Sequence, residues 1–140
     1  MRKMLNTLAV IGAVAAVMAG TSTANAESRI VPVAGESGLY EVSGPGAAIL
    51  GWNNCADGQT CFFQYKNGGG LLWVVPSCWK NEVPGAFDNK ASSVWNKGGG
   101  AVDLYYNHGY TGYLGTTARW WQGDLAASHD DRLSSVDVRC

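Results

Sequence analysis

The chain has 140 residues and carries 10 Lys and Arg against 11 Asp and Glu, a formal net charge of −1. That length holds one domain. Near-neutral charge with no Lys/Arg cluster excludes the electrostatic footprint of a nucleic-acid partner or of an anionic membrane surface.

Residues 1–26 read as a secretory signal peptide. Arg2 and Lys3 form a basic start, Leu5 to Met18 is apolar apart from Asn6 and Thr7, and Ala24-Asn25-Ala26 supplies a small-x-small cleavage site. The apolar run falls short of the roughly 20 residues that a transmembrane helix needs. Export would leave residues 27–140 with 8 basic and 11 acidic groups, net −3. A secreted, extracellular, soluble monomer is expected, with no nucleic-acid or membrane partner. Residues 27–54 are rich in Gly, Ala, Ser and Pro, punctuated by Gly44-Pro45-Gly46. Ile30-Val31 and Leu39-Tyr40 suit short strands, but without periodicity the segment reads as a partly ordered N-terminal arm or a removable pro-segment.

The folded domain is expected over 55–140. Cys55, Cys61, Cys78 and Cys140 are an even set in an exported chain and read as two disulfides. Of three pairings, Cys55–Cys61 across Asp57-Gly58 with Cys78–Cys140 is preferred. The spacings lack the paired short loops of a zinc module.

From Cys55 onward the signals are β. Cys61 to Tyr65, Leu71 to Val75, Ala91 to Trp95, Ala101 to Tyr106, Tyr113 to Thr117 and Leu133 to Val138 are short aromatic or β-branched runs. Gly-rich turns at 67–70, 97–100 and 107–112 separate them, and no stretch gives a convincing amphipathic helix. Trp73, Trp79, Trp95 and Trp121 are expected in the core. In the pair Trp120-Trp121 alternation lets only one ring point inward, so Trp120 is the candidate partner-facing aromatic.

The chain also repeats itself. Residues 60–96 align without a gap on 102–138 at an offset of 42, with Trp79 on Trp121 and Phe63 on Tyr105. Both copies close on the same motif, Asp88-Asn89-Lys90-Ala91-Ser92-Ser93-Val94 and Asp130-Asp131-Arg132-Leu133-Ser134-Ser135-Val136. A duplicated unit of short strands that is too small to bury its own core predicts an all-β sandwich of two packed Greek keys, stabilised by disulfides.

Tyr105-Tyr106-Asn107-His108-Gly109-Tyr110-Thr111-Gly112 carries the Tyr-x4-Tyr-x-Gly pattern of βγ-crystallin Greek keys. Phe63 to Gly70 matches it, except that Gly68 stands where the second aromatic is expected. The segment from 60 to 138 therefore resembles a complete βγ-crystallin domain. The leader, the Cys55-Ala56-Asp57-Gly58-Gln59-Thr60-Cys61 opening and the Asn89 to Asn96 stretch further resemble the secreted bacterial peptidase inhibitors of this fold, typified by a metalloproteinase inhibitor.

Hard oxygen ligands from carboxylates, amides, hydroxyls and carbonyls suit calcium, which takes six to eight of them. By the resemblance, Asp88, Asn89, Lys90 (carbonyl) and Ser92 would join Asp130, Asp131, Arg132 (carbonyl) and Ser134 in holding it. Ser93 and Ser135 are read instead as turn caps. Catalytic constellations are missing. His108 and His129 sit in no metal-binding pattern, no nucleophile elbow or phosphate loop occurs, and the thiols are committed to disulfides. Two functions remain. One is a non-catalytic inhibitor of a secreted peptidase, expected to be a metalloproteinase, presenting a rigid loop from Ser77 to Phe87 or Thr117 to His129. The other is a calcium-binding extracellular module that engages wall polysaccharide through Trp120 and Tyr110, or stabilises against stress.

Overall fold

Alternating side chains along the short apolar runs build two antiparallel sheets that close on one another. The computed structural model describes residues 27–140, so the signal-peptide reading of 1–26 lies outside the described residues. The elements are β1 (Arg29–Pro32), β2 (Leu39–Ser43), α1 (Ala47–Asn53), β3 (Thr60–Phe63), β4 (Gly70–Val74), β5 (Trp79–Glu82), β6 (Ser93–Asn96), β7 (Val102–Asn107), β8 (Thr111–Thr117), β9 (Gln122–Asp124) and β10 (Ser135–Val138). One sheet runs β1-β2-β4-β3-β6-β9 and the other β5-β10-β7-β8. In each repeat the first two strands form a hairpin and the fourth pairs with the first. The third crosses over, so β5 of the first repeat joins the second sheet and β9 of the second repeat joins the first. This is a pair of Greek keys that exchange one strand each.

Phe62, Trp73 and Val94 from the first sheet meet Val102, Leu104, Val136 and Val138 from the second in the central core. Phe87, Ala91 and Leu133 from the connections complete it. The disulfides pair Cys55 with Cys61 and Cys78 with Cys140, as preferred from the sequence. Among the described residues no helix is long and apolar enough to cross a membrane.

The expected N-terminal arm over 27–54 is instead built into the fold. β2 pairs with β4 and places Leu39 opposite Trp73. α1, a helix that the sequence did not signal, covers the outer face of the first sheet. There Val42, Cys55, Cys61, Phe63 and Leu72 form a second core with Leu50 and Trp52 packed on it. β3 is buried at every residue for this reason, being covered on both faces. Trp52 also explains the missing aromatic of the first repeat. In the second repeat Tyr110 meets Tyr105 edge-on at 6.3 Å between ring centroids. In the first, Trp52 meets Phe63 edge-on at 4.5 Å. A Cβ at Gly68 would lie 2.6 Å from the Trp52 ring, and the residue holds φ +85°, so only glycine fits beneath it.

The tryptophans divide differently from expectation. Trp73 is fully buried, but Trp79 and Trp121 are exposed and Trp95 is half-buried. Trp79 opens an edge strand and Trp121 leads into one, where no further strand covers them.

Asp103 is buried on β7, accepts a hydrogen bond from Thr116 and is paired with Arg139. Burial pushes its carboxyl up, but the Thr116 hydroxyl and the Arg139 guanidinium outweigh that and hold it below the ordinary aspartate value of 3.8. A depressed folded value contributes stability that is present above the ordinary aspartate range and lost as pH falls through the folded one. Asp103→Asn is therefore expected to lose less of its melting temperature between about pH 5 and about pH 3 than the parent loses. Equal slopes in thermal melts would refute that role. Trp52→Ala is expected to cost about 3 kcal/mol in urea unfolding, at the low end for a large aromatic because the ring is half-buried. A loss under about 1 kcal/mol would show that Trp52 does not close the first hairpin.

Candidate functional site

The strand registers give the sandwich two ends. At one end lie the folded hairpins, 63–70 and 105–111, together with the two acidic motifs. Ser93 and Ser135 hold the hairpins, each by the same two bonds. Ser93 Oγ donates to Tyr65 O at 2.7 Å and accepts from Gly68 N at 3.1 Å. Ser135 Oγ donates to Asn107 O at 2.6 Å and accepts from Tyr110 N at 3.2 Å. Both serines therefore cap turns, as the sequence suggested. Each crossing strand adds a carboxylate to the other repeat's hairpin. Gly109 N donates to Glu82 Oε1 at 2.9 Å and Asn67 N to Asp124 Oδ1 at 2.8 Å.

The two copies of the acidic motif interlock across the pseudo-twofold. Asn89 N donates to Leu133 O and Asp131 N to Ala91 O, each at 3.0 Å. Ser92 Oγ donates to Asp131 Oδ1 and Ser134 Oγ to Asn89 Oδ1, each at 3.4 Å. Asn89 and Asp131 both hold φ +54°, a left-handed conformation that Asn and Asp tolerate. Lys90 and Arg132 turn their charges back onto their own loops, donating to Ala86 O and Ser128 O. Asp88 Oδ1 and Asp130 Oδ1 are buried and accept no hydrogen bond. All eight residues named from the sequence thus meet at one end of the molecule. Among the described residues no three His, Cys, Asp or Glu side chains stand where they could hold a metal ion together, and five of these eight residues would offer amide, hydroxyl or carbonyl oxygen instead.

His108, on the second hairpin, reaches into this end, with Nδ1 2.7 Å from Glu82 Oε2 and Nε2 3.4 Å from Asp88 Oδ2. The bond to Glu82 holds the imidazole above its ordinary value, with Asp88 adding to the effect. Burial alone would raise Glu82, yet the Gly109 amide and His108 bring it below the ordinary glutamate range.

The other end carries the exposed tryptophans Trp79, Trp120 and Trp121. The connections Ser77 to Phe87 and Thr117 to His129 are not continuous loops, since β5 and β9 run through them. What remains are short turns leading into those strands, and each presents a tryptophan in a left-handed conformation. Trp79 has φ +68° and is 65% exposed; Trp120 has φ +65° and is 53% exposed. A bulky side chain at positive φ is strained, and such strain persists only where the surroundings impose it. Here a buried asparagine imposes it at each turn. Asn81 Nδ2 donates to Ser77 O and Trp79 O at 2.8 and 2.9 Å. Asn96 Nδ2 donates to Gly100 O and Ala118 O at 2.9 and 3.1 Å. Trp120 N in turn donates to Asn96 O. The Cys78–Cys140 disulfide ties down the residue before Trp79. Trp120 is therefore exposed as expected. Trp79 was missed, because large aromatic rings are buried on average and the sequence does not show the backbone angle that turns this one outward.

Neither the curated proteins nor the solved structures give a match to this chain. A family model does: that of peptidase inhibitor family I36, over residues 48–117, which is 70 of the 140 residues. The matched segment begins in α1, takes in the first repeat and ends with β8 of the second, so it includes Trp79 and its asparagine clamp. The chain belongs to peptidase inhibitor family I36, and its partner is a peptidase on which it acts as an inhibitor rather than as an enzyme.

Proposed function

We propose that this protein is a secreted inhibitor of metallopeptidases that docks through the Trp79 and Trp120 turns. The observation that carries the docking face is the pair of exposed tryptophans, each held in a strained turn by a buried asparagine. Tryptophan is the side chain most enriched among binding hot spots, and a turn already fixed in shape loses little entropy on docking. The leader at residues 1–26 supports export, and the resemblance of the opening segment supports the metallopeptidase class. The test is titration of a thermolysin-type metallopeptidase with the purified protein, with a serine peptidase in parallel. A near-equimolar block of the metallopeptidase alone is expected. Trp79→Ala and Trp120→Ala should each weaken inhibition about 30-fold, equivalent to about 2 kcal/mol, with melting temperature unchanged. Inhibition of the serine peptidase alone would overturn the class, and full inhibition by both variants would overturn the face.

Calcium is a second proposal, favoured by the orphaned carboxylate oxygens of Asp88 and Asp130. A buried oxygen with no donor costs stability unless a cation answers it. The donor set is all oxygen, as calcium requires. Asp88, Asn89, Ser92, Asp130, Asp131 and Ser134 would hold the ion by side chains, with the Lys90 and Arg132 carbonyls. Bound calcium would supply positive charge that ties the two loops together, at the about 10⁻⁴–10⁻³ M affinity of extracellular modules. A hundredfold excess over Kd is expected to raise stability by about 2.7 kcal/mol. Asp88→Ala and Asp130→Ala should each diminish that rise in thermal melts. A rise equal to the parent's in both variants would remove calcium from this site.

A further inference from the structure

The two tryptophan turns are held by different means. Hydrogen bonds alone fix the Trp120 turn: Trp121 N donates to Ala118 O, Trp120 N to Asn96 O, and Asn96 Nδ2 to Ala118 O. The Trp79 turn has fewer. Among the described residues, no backbone–backbone hydrogen bond outside the β ladders involves residues 76–78. Asn81 clamps Ser77 O and Trp79 O, and Ser77 Oγ donates to Asn81 Oδ1 at 3.0 Å. The remaining hold on this turn is the bond from Cys78 to Cys140. On the Cys140 side the chain is seated without it. Arg139 N donates to Ala101 O at 3.0 Å, and the Arg139 guanidinium pairs with Asp103. Gly99 and Gly100 lie flush against this segment. A Cβ at Gly99 would stand 3.2 Å from Cys140 Cα, and one at Gly100 2.6 Å from Arg139 O. Cys140 is therefore the fixed partner, and Cys78 is the one released when the bond opens.

The two disulfides also differ in access. Cys55 and Cys61 are 1% and 0% exposed, within the second core. Cys78 and Cys140 are both exposed, and together they line a cleft of about 290 Å³ with Gln59, Thr60, Val75 and Pro76. A thiolate must reach a disulfide sulfur to break the bond, so exposed disulfides are the labile ones. We propose that Cys78–Cys140 is a thiol-exchange site that takes a dithiol reductant and thereby frees the Trp79 turn. One thiolate of the dithiol attacks a sulfur of the pair, and the other cysteine leaves as a thiolate. The second thiol of the reductant then closes on the first and expels the remaining cysteine. The dithiol ends as a cyclic disulfide, and its two electrons and two protons pass to the protein as two cysteine thiols. Trp79 keeps only its asparagine clamp, while the Trp120 turn is untouched. The consequence for inhibition rests on the docking face proposed above: an anchor freed to move must be ordered again on binding.

The test is brief exposure of the native, full exported chain to dithiothreitol, followed by alkylation and peptide mapping by mass spectrometry. Cys78 and Cys140 are expected to be alkylated while Cys55–Cys61 stays intact. In urea both bonds should open together, since the fold no longer shields the first. On opening, the indole N–H signal of Trp79 should shift or broaden in NMR spectra, and that of Trp120 should stay in place. Alkylated protein freed of reductant should inhibit the peptidase about tenfold more weakly, and unalkylated protein should recover on reoxidation. Cys78→Ser combined with Cys140→Ser should inhibit as weakly without any reductant; the alkylated parent serves if that variant does not fold. Opening of Cys55–Cys61 as fast in the native protein, or an unmoved Trp79 signal, would overturn the site. Full inhibition by the opened protein would overturn its control of inhibition. Trp79→Ala, run beside it, shows whether the docking face falls as well, because that variant leaves the disulfide in place.

Discussion

The structure depends on an exchange: each repeat gives its third strand to the other's sheet. β5 and β9 are short edge strands that neither repeat could hold alone, and each brings a carboxylate to the partner hairpin. Glu82 receives the Gly109 amide and Asp124 the Asn67 amide, at nearly the same distance. Neither half can close its sheet or satisfy its hairpin without the other. Folding is therefore cooperative across the duplication, and the central core draws on both sheets because neither buries enough surface on its own.

That exchange also separates two kinds of chemistry. The hairpins, the interlocked acidic motifs and His108 gather at one end, where charge and hydroxyl groups serve cohesion. The turns before β5 and β9 gather at the other, where tryptophans face solvent. A cation held by Asp88 and Asp130 would brace the frame from the end remote from the aromatic turns, leaving them uncovered. The buried side chains of Asn81 and Asn96 do locally what the sheets do globally. They spend hydrogen bonds on carbonyls of irregular backbone that would otherwise go unpaired, and so fix turns that have no ladder of their own.

Much of this was legible in the sequence. The offset of 42 located every strand of the hairpins, and the even cysteine count with the short Cys55–Cys61 loop led to the right pairing. The acidic motifs were found as a set because their oxygens recur at fixed spacing. What was not legible had physical reasons. β5 reads Trp-Lys-Asn-Glu and β9 Gln-Gly-Asp, edge strands with too little apolar alternation to register. α1 has seven residues, too few for an amphipathic period to stand out. Its presence was implied by two unexplained features, the unbroken apolar run Cys61-Phe62-Phe63 of β3 and the absent aromatic at Gly68, which a covering element reconciles. The exposure of Trp79 turned on a single backbone angle that no composition or spacing encodes.

The link between Cys78 and Cys140 closes a covalent ring that contains the second repeat, both crossing strands and the Trp79 and Trp120 turns. Hydrolysis of a peptide bond anywhere inside that ring opens it without releasing a fragment. A peptidase that cut the chain at Trp120 would leave the last strand, β10, bonded to the rest through Cys140 and still paired with β5 and β7. The two new ends would remain neighbours at high effective concentration instead of diffusing apart. A nicked molecule of this design keeps its covalent connection, so cleavage at the tryptophan turns is not equivalent to destruction.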